Sequence, residues 1–516
     1  MEDSVERKKT MRLRLFNIPS VYGVSQVRKF VANLLNIPQD AVVCRKGPKW
    51  SHAFLSFRPA GELTSVPDLE VYRSKLAGAE WKRVKLDAKM EEAVADPLVV
   101  ARAREEPQEL KCLNDQVTPL WKVPYEEQLV RKHTKLEALL RKNVKVGDDF
   151  LMEPIKASPM TTGYRNKCEF TVGHDKNGVP TVGFLLGAYK DGVVAVENAK
   201  DTVHIPEVLK ALADHLESYV KDSGLAIFDR STKEGFWRLM LARLHDGDVM
   251  AAVQITPTGM ETKRVAEIVD SFVVYMNSFT FEGTFPLKSF FIQETAALHH
   301  GIDPKAPFML KSGTETITQT LSTLKFRISP HSFFQVNQAA TDILYSTIKE
   351  YVVDSLSSKT VLLDLCCGTG TIGMTLAPHV QRVVGVELVQ DAINDAKANA
   401  QLNGIENISF RCERVEAAIE KVIEEIPKDQ PIVVVLDPPR NGVHVSVIKA
   451  VRKCKRICRV VFVSCNPVAA ANNFVDLTRD ETKGMVGAPF SMRRAVAVDL
   501  FPQTEHCELV LQFHRD

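Results

Sequence analysis

No apolar run in this 516-residue chain approaches the ~18 residues that a membrane span requires. The longest, such as Ile432–Leu436 and Val460–Val463, have the length of strands, so no membrane partner is expected. The amino terminus, MEDSVERKKT, has no apolar segment behind its charges, and no secretory leader is expected either. A disulfide framework is missing as well. Ten cysteines are scattered without a CxxC pair, a usage that suits buried thiols in a reducing compartment. This places the protein in the cytosol, with the nucleus as an alternative. Cys454 and Cys458 have a short spacing, but on one helix it reads as a packed face, and no metal is expected. An excess of one charge sign is also lacking, since 66 Lys and Arg face 64 Asp and Glu for a formal charge of +2. The total conceals a division. Residues 1–90 hold 17 basic and 9 acidic residues, net +8, and the remainder is net −6. A basic module on a mildly acidic body points to a polyanionic partner.

What is present is an ordinary globular composition, 45% hydrophobic and 25% charged, at a length that predicts several domains. Residues 1–90 read as a small α+β module, with strands at Met11–Ile18, Ala53–Phe57 and Trp81–Leu86 and helices at Val24–Leu35 and Asp68–Leu76. This order resembles an RNA-recognition motif (RRM), whose outer strands would be LRLFNI at 13–18 and WSHAFLSF at 50–57. Arg14 and His52 stand where that motif usually carries base-stacking aromatics, and Phe54 remains. Residues 91–145 read as a connector: Asp96–Gln108 is charge-rich, and Tyr125–Lys142 is a charged helix to which the sequence assigns no function. Residues 146–325 alternate short strands with glycine-bearing turns and a helix at Pro206–Val220, an α+β domain. From 326 to 516 strands alternate with helices, the signature of a parallel α/β sheet of the Rossmann-like kind. Strands are expected at Val361–Leu365, Val383–Glu387, Ile432–Leu436 and Val460–Ser464. Asn337 is the expected cap of one helix, and Gly404 the stop of another at Asp391–Leu402.

The first of these strands runs into DLCCGTGTIG at 364–373, with Gly368, Gly370 and Gly373 in a G-x-G-x-x-G spacing. Glycine lets backbone turn tightly against a ligand at the carboxyl edge of such a sheet. Glu387 ends the next strand and can accept from both hydroxyls of an adenosine ribose. NAD and S-adenosylmethionine share that ribose. Asp364 ahead of the glycines, and Asp437-Pro438-Pro439-Arg440 ending the third strand, favour the methyl donor, the prolines making a rigid rim beside Asp437.

The fourth strand ends in Ser464-Cys465-Asn466-Pro467. A cysteine beside a methyl donor suggests addition to C6 of uracil, which makes C5 nucleophilic; a base must then remove the C5 proton. Two final strands, Ala495–Leu500 and Cys507–Phe513, bring Glu508, Glu505 and His506 as candidates, and spacing alone does not choose among them.

SPHSFFQVN at 329–337, DLCCGTGTIG, DPPRNG, SCNP and DLFPQTEHCE, in this order, resemble the RNA uracil-C5 methyltransferase family. The resemblance implies a Rossmann-like S-adenosylmethionine-dependent domain over 326–516. It implies Cys465 as nucleophile, Glu508 as proton acceptor, and Gln335, Gly368, Glu387 and Asp437 as cofactor contacts. VTPLWKVPY at 117–125 and TGYRNKCEF at 162–170 are similar to the eukaryotic tRNA branch of that family. That similarity implies uridine 54 in the T-loop of tRNA as the target, a central RNA-binding domain over 146–325, and Tyr164, Arg165 and Lys167 as RNA contacts, by stacking and phosphate pairing. Some relatives hold an iron–sulfur cluster in a Cys-rich amino-terminal run; none occurs here, and none is expected. The rival readings are methylation of another RNA, messenger or ribosomal, and a non-catalytic tRNA-binding or folding helper. Retention of Cys465 and Glu508 favours an enzyme.

Overall fold

In a computed structural model the chain forms two compact units, 1–104 and 105–516. The structure describes residues 11–19, 21–46, 50–57, 69–82, 84–92, 112–147, 149–187, 193–229, 232–284, 286–297, 301–354 and 356–515. The charge-rich stretch 96–108 lies outside them.

In the first unit, alternation puts Leu13, Leu15, Ala53 and Leu55 on one face of a sheet, where helices Val24–Leu35 and Leu69–Leu76 cover them. Its four antiparallel strands lie in the order Val42–Arg45, Ala53–Phe57, Met11–Phe16, Asp87–Glu92. The last strand is therefore not Trp81–Leu86. Glu80–Trp81 and Val84–Lys85 pair as a two-rung hairpin, with Lys82 at φ +53°, and the sheet is completed by Asp87–Glu92, DAKMEE. An edge strand with one solvated face needs few apolar residues, so this one carries little hydrophobic signal. On the open face Arg12 lies 4.0 Å over the Phe54 ring and Trp50 stacks on His52 at 4.8 Å.

The second unit contains two large sheets. One has seven strands in the order Val196–Asn198, Pro180–Leu185, Lys167–His174, Trp237–His245, Asp248–Ile255, Leu287–Glu294, Met309–Gly313. Only Asp248–Ile255 and Leu287–Glu294 run parallel, joined by helix Thr262–Asn277. That helix and Glu207–Asp222 pack their apolar stripes on one face, around Phe170, Trp237, Phe272 and Phe290.

The other sheet uses β1 (Val361–Leu365), β2 (Arg382–Glu387), β3 (Ile408–Cys412), β4 (Ile432–Leu436), β5 (Ile457–Ser464), β6 (Ser491–Val498) and β7 (Glu508–His514). Their order is β3-β2-β1-β4-β5-β7-β6, with Leu151–Met152 added beside β6. β1 to β5 are parallel, and β7 runs antiparallel to both β5 and β6. Helices cover both faces, which is why β1 and β4 are apolar almost throughout and wholly buried. Asn337 caps helix Gln338–Val353, accepting from the Ala340 amide, and Gly404 closes helix Gln390–Leu402 at φ +63°. Cys454 and Cys458 do not share a helix: Cys454 caps Val445–Lys453 and Cys458 lies in β5. A helix of nine residues ends there because the chain must turn into the next strand.

Candidate active site

The strand order reverses between β1 and β4, so the loops leaving their carboxyl ends part and open a crevice. Cys366, Glu387, Asp437 and Cys465 all stand at that edge, each at or just beyond its strand's last residue. Because β7 runs the other way, its first residue lies at the same edge. Ser464 pairs with Leu509, and one further step of that register sets Cys465 across from Glu508. The topology thereby separates three candidates that spacing left equal. Glu505 is exposed and ion-paired with Lys135 at 3.2 Å, His506 is exposed, and Glu508 is buried.

Around β1 the glycine loop is built by backbone bonds to carboxylates. Gly368 N–H donates to Glu387 Oε2 (3.1 Å) and Gly373 N–H to Asp364 Oδ2 (2.9 Å). Gly368 at φ +53° has open space where a Cβ would point, whereas a Cβ on Gly373 would lie 2.8 Å from Asp364 Oδ2. Glu387 Oε1 accepts from the Leu388 and Val389 amides. Three of its roughly four acceptor positions are engaged, which leaves one for a ligand hydroxyl rather than two. Gln335 is buried, and its carbonyl accepts from Asn166 Nδ2 (3.1 Å).

The electrostatics are those of crowded carboxylates. Burial pushes Asp364 up to about 7, with repulsion from Asp437 and Glu387 adding to it against the Gly373 amide. Burial also raises Asp437, and burial together with Asp437 holds Glu508 well above the usual carboxylate range. Asp364 Oδ1 and Glu508 Oε2 are buried oxygens without a protein partner. Cys465 is partly accessible; burial, then Glu508 and Asp437, push its thiol up to about 11, opposed by Arg440. Such a site offers acceptors for a cationic ligand, a reachable thiol, and a carboxyl group able to hold a proton.

The family model for tRNA (uracil-5-)-methyltransferase matches residues 310–515. Over the whole chain the sequence is 37% identical to tRNA (uracil-5-)-methyltransferase homolog A of Mus musculus, covering 86% of that protein, and 36% identical to the Homo sapiens homolog A, covering 84%. The chain belongs to the tRNA (uracil-5-)-methyltransferase family. Its fold is similar to that of Pyrococcus abyssi tRNA (uracil-54, C5)-methyltransferase, solved with S-adenosyl-L-homocysteine. That likeness has a TM-score of 0.56 at 21% identity and covers 84% of this chain and 91% of the other.

Not every residue that the family resemblance singled out meets at this edge. Tyr164 is buried and its hydroxyl donates to Pro502 O (2.9 Å), so its ring is spent on packing and is not free to stack on RNA. Arg165 bridges to Asn337 through its backbone, and Lys167 pairs with Glu169 at 3.6 Å. Both side chains remain partly accessible. Arg440, in the loop after β4, acts on the thiol although sequence reasoning gave it no role. Asn473 was also missed. Its amide donates to Val443 O (3.0 Å) and accepts from Val443 N–H (2.8 Å), tying that loop to helix Pro467–Thr478, which follows Cys465. Arg440 was open to inference as a cation next to Asp437. Nothing local marks Asn473. Among the described residues no cluster of His, Cys, Asp or Glu is arranged to hold a metal, and no helix is long and apolar enough to cross a membrane.

Proposed function

We propose that this methyltransferase methylates C5 of uridine in tRNA, at position 54 of the T-loop, in the cytosol, and that S-adenosylmethionine is its methyl donor. The observation that carries the reading is the β5–β7 register, which sets Cys465 and Glu508 across from each other at the edge where the glycine loop ends. The carboxylates of Asp364, Glu387 and Asp437 would hold the donor, with Gln335 and the Gly368 loop beside them; a ligand bearing an ammonium and a sulfonium suits raised, partly unpartnered acids. When bound, S-adenosylmethionine supplies an electrophilic methyl group. Cys465 adds as thiolate to C6, Arg440 favouring the charged form, and the C5–C6 π electrons become available at C5. After C5 is methylated, Glu508 takes the C5 proton on its free oxygen, the C5–C6 double bond re-forms, and the sulfur leaves C6. Reaching C6 requires the uridine out of its stack. The RRM-like module 1–90, the connector 91–145 and a central RNA-binding domain over 146–325 are part of this reading, with Arg165 and Lys167 as phosphate contacts and Tyr164 as their support.

Incubation with unmodified tRNA and labelled S-adenosylmethionine should yield 5-methyluridine at position 54. Cys465→Ala should lose both this product and the denaturation-resistant adduct with 5-fluorouridine tRNA. Label at another uridine moves the substrate assignment, and methylation by Cys465→Ala removes the proposed nucleophile.

A further inference from the structure

The charged helix Tyr125–Asn143 has no role in the chemistry above, yet its buried face meets the turn that delivers the proposed base. Gln128 and Lys132, one helical turn apart, are fully buried. The turn is 499–507, which carries the chain from β6 to Glu508. Lys132 Nζ donates to Asp499 Oδ1 (2.7 Å) and Phe501 O (3.1 Å), and the Phe501 amide donates to the same Asp499 oxygen (3.2 Å). Gln503, a non-glycine residue at φ +68°, sits at the turn's most constrained point. Each of its polar groups is held. Its N–H donates to Gln128 Oε1 (2.8 Å), its carbonyl accepts from Leu120 N–H (2.9 Å), and its side-chain oxygen accepts from Gln128 Nε2 (2.8 Å). The Tyr164 hydroxyl holds Pro502 O (2.9 Å) and Asn337 Nδ2 holds Leu500 O (3.2 Å).

A left-handed conformation at glutamine persists only where its surroundings over-determine it. Glu508 is the first residue of β7. Strand pairing with Val498 fixes its backbone on one side, and the chain entering from this turn fixes the other. We propose that Gln128 and Lys132 are positioning residues for proton removal, setting Glu508 through the 499–507 turn. This rests on Glu508 being the base, as read above. The brace acts after the thiol has added, because Cys465 stands just beyond the end of β5, outside the turn.

That timing makes the inference testable in the full-length enzyme with unmodified tRNA. Gln128→Leu removes the clamp on Gln503 while Lys132 and Asp499 stay paired. A base displaced by about 1 Å costs on the order of a hundredfold in rate, so turnover should fall by that order with KM for tRNA unchanged. The methylated covalent enzyme–tRNA adduct, read on a denaturing gel, should accumulate because addition proceeds and elimination stalls. Glu508→Gln is the control and should accumulate the same adduct. If it does and Gln128→Leu instead loses adduct and turnover in parallel, or keeps full turnover, the brace is refuted. If Glu508→Gln fails to accumulate adduct, the assignment of the base falls first.

Discussion

Cys465 is held in the wrong protonation state for the attack proposed for it, and the reasons lie in identifiable neighbours. Burial disfavours the thiolate, and the carboxyls of Glu508 and Asp437 add repulsion, while the Arg440 guanidinium works against them. A negative charge beside a thiol raises its pKa, and a positive one lowers it. Glu508→Gln should therefore move the rising limb of Cys465 alkylation to lower pH, and Arg440→Ala to higher pH. Each displacement should be about one unit, the ordinary spread of such shifts in folded proteins. Iodoacetamide labelling of the Cys465 peptide, followed by mass spectrometry across pH, measures both. Arg440 is exposed and Glu508 is buried, so high salt should shrink the arginine's effect and leave the glutamate's intact. Displacements of the same sign in the two variants would mean that local packing, not charge, sets the thiol.

The elements show where sequence pattern carries information and where it does not. β1 and β4 match their expected limits because a strand covered on both faces must be apolar throughout, and that run is visible in one dimension. Val42–Arg45 and Asp87–Glu92 were not expected: both are edge strands, the first only four residues long and the second with polar Asp87 and Lys89 facing outward. Of the candidate site, Cys465 and the glycine loop are legible as strand-end features, because they lie next to strands of clear pattern. Choosing Glu508 over Glu505 and His506 on physical grounds needed the antiparallel register, a fact about pairing. Tyr164 was expected on the surface because its hydrogen-bond partner, Pro502, is 338 positions away. The helix Tyr125–Asn143 is the fullest case. Its exposed pairs, Glu127–Arg131 and Glu137–Arg141, make it look solvated all round, and Gln128 meets Gln503 across 375 positions. One helix thus carries two kinds of ion pair. Lys132–Asp499 is wholly buried, whereas Lys135–Glu505 is open to water. Removing one partner of a buried pair strands a charge, at a cost of about 3–5 kcal/mol, whereas an exposed pair contributes about 0–1 kcal/mol. Lys132→Met should lower the urea unfolding free energy by the larger amount and Lys135→Met by no more than the smaller. Equal effects would show that water reaches Asp499.

At the scale of the whole molecule, the near-neutral total of +2 conceals an uneven distribution, net +8 over residues 1–90 and net −6 over the remainder. All proposed chemistry lies in the unit 105–516, whose pocket gathers Asp364, Glu387, Asp437 and Glu508. A concentration of acids suits a cationic donor and repels a polyanion, so tRNA must be held by cations placed elsewhere. The first unit presents cations on an open sheet face, where Arg12 and Arg14 lie over Phe54 and Lys89 over Phe16. Arg12 is already paired with Glu91 at 2.6 Å, which reduces what it can offer a phosphate. Arg14 reaches the same carboxylate only at 3.9 Å, which leaves it and Lys89 more to offer, and the stacked Trp50–His52 pair gives the face aromatic surface despite its missing aromatics at 14 and 52. Each phosphate neutralised on a single strand contributes about 0.7 to the slope of log affinity against log salt. Removing residues 1–104 should reduce the magnitude of that slope by about 1.4 if two contacts are lost, and weaken tRNA binding most at low salt. The methylation rate at saturating tRNA should stay within about a factor of two, because a positioning contact adds affinity without touching the reacting atoms. Filter binding across a salt series, beside single-turnover methylation, separates the two effects. An unchanged slope would assign the basic face to a partner other than tRNA, and a collapsed single-turnover rate would place part of the catalytic machinery in the first unit.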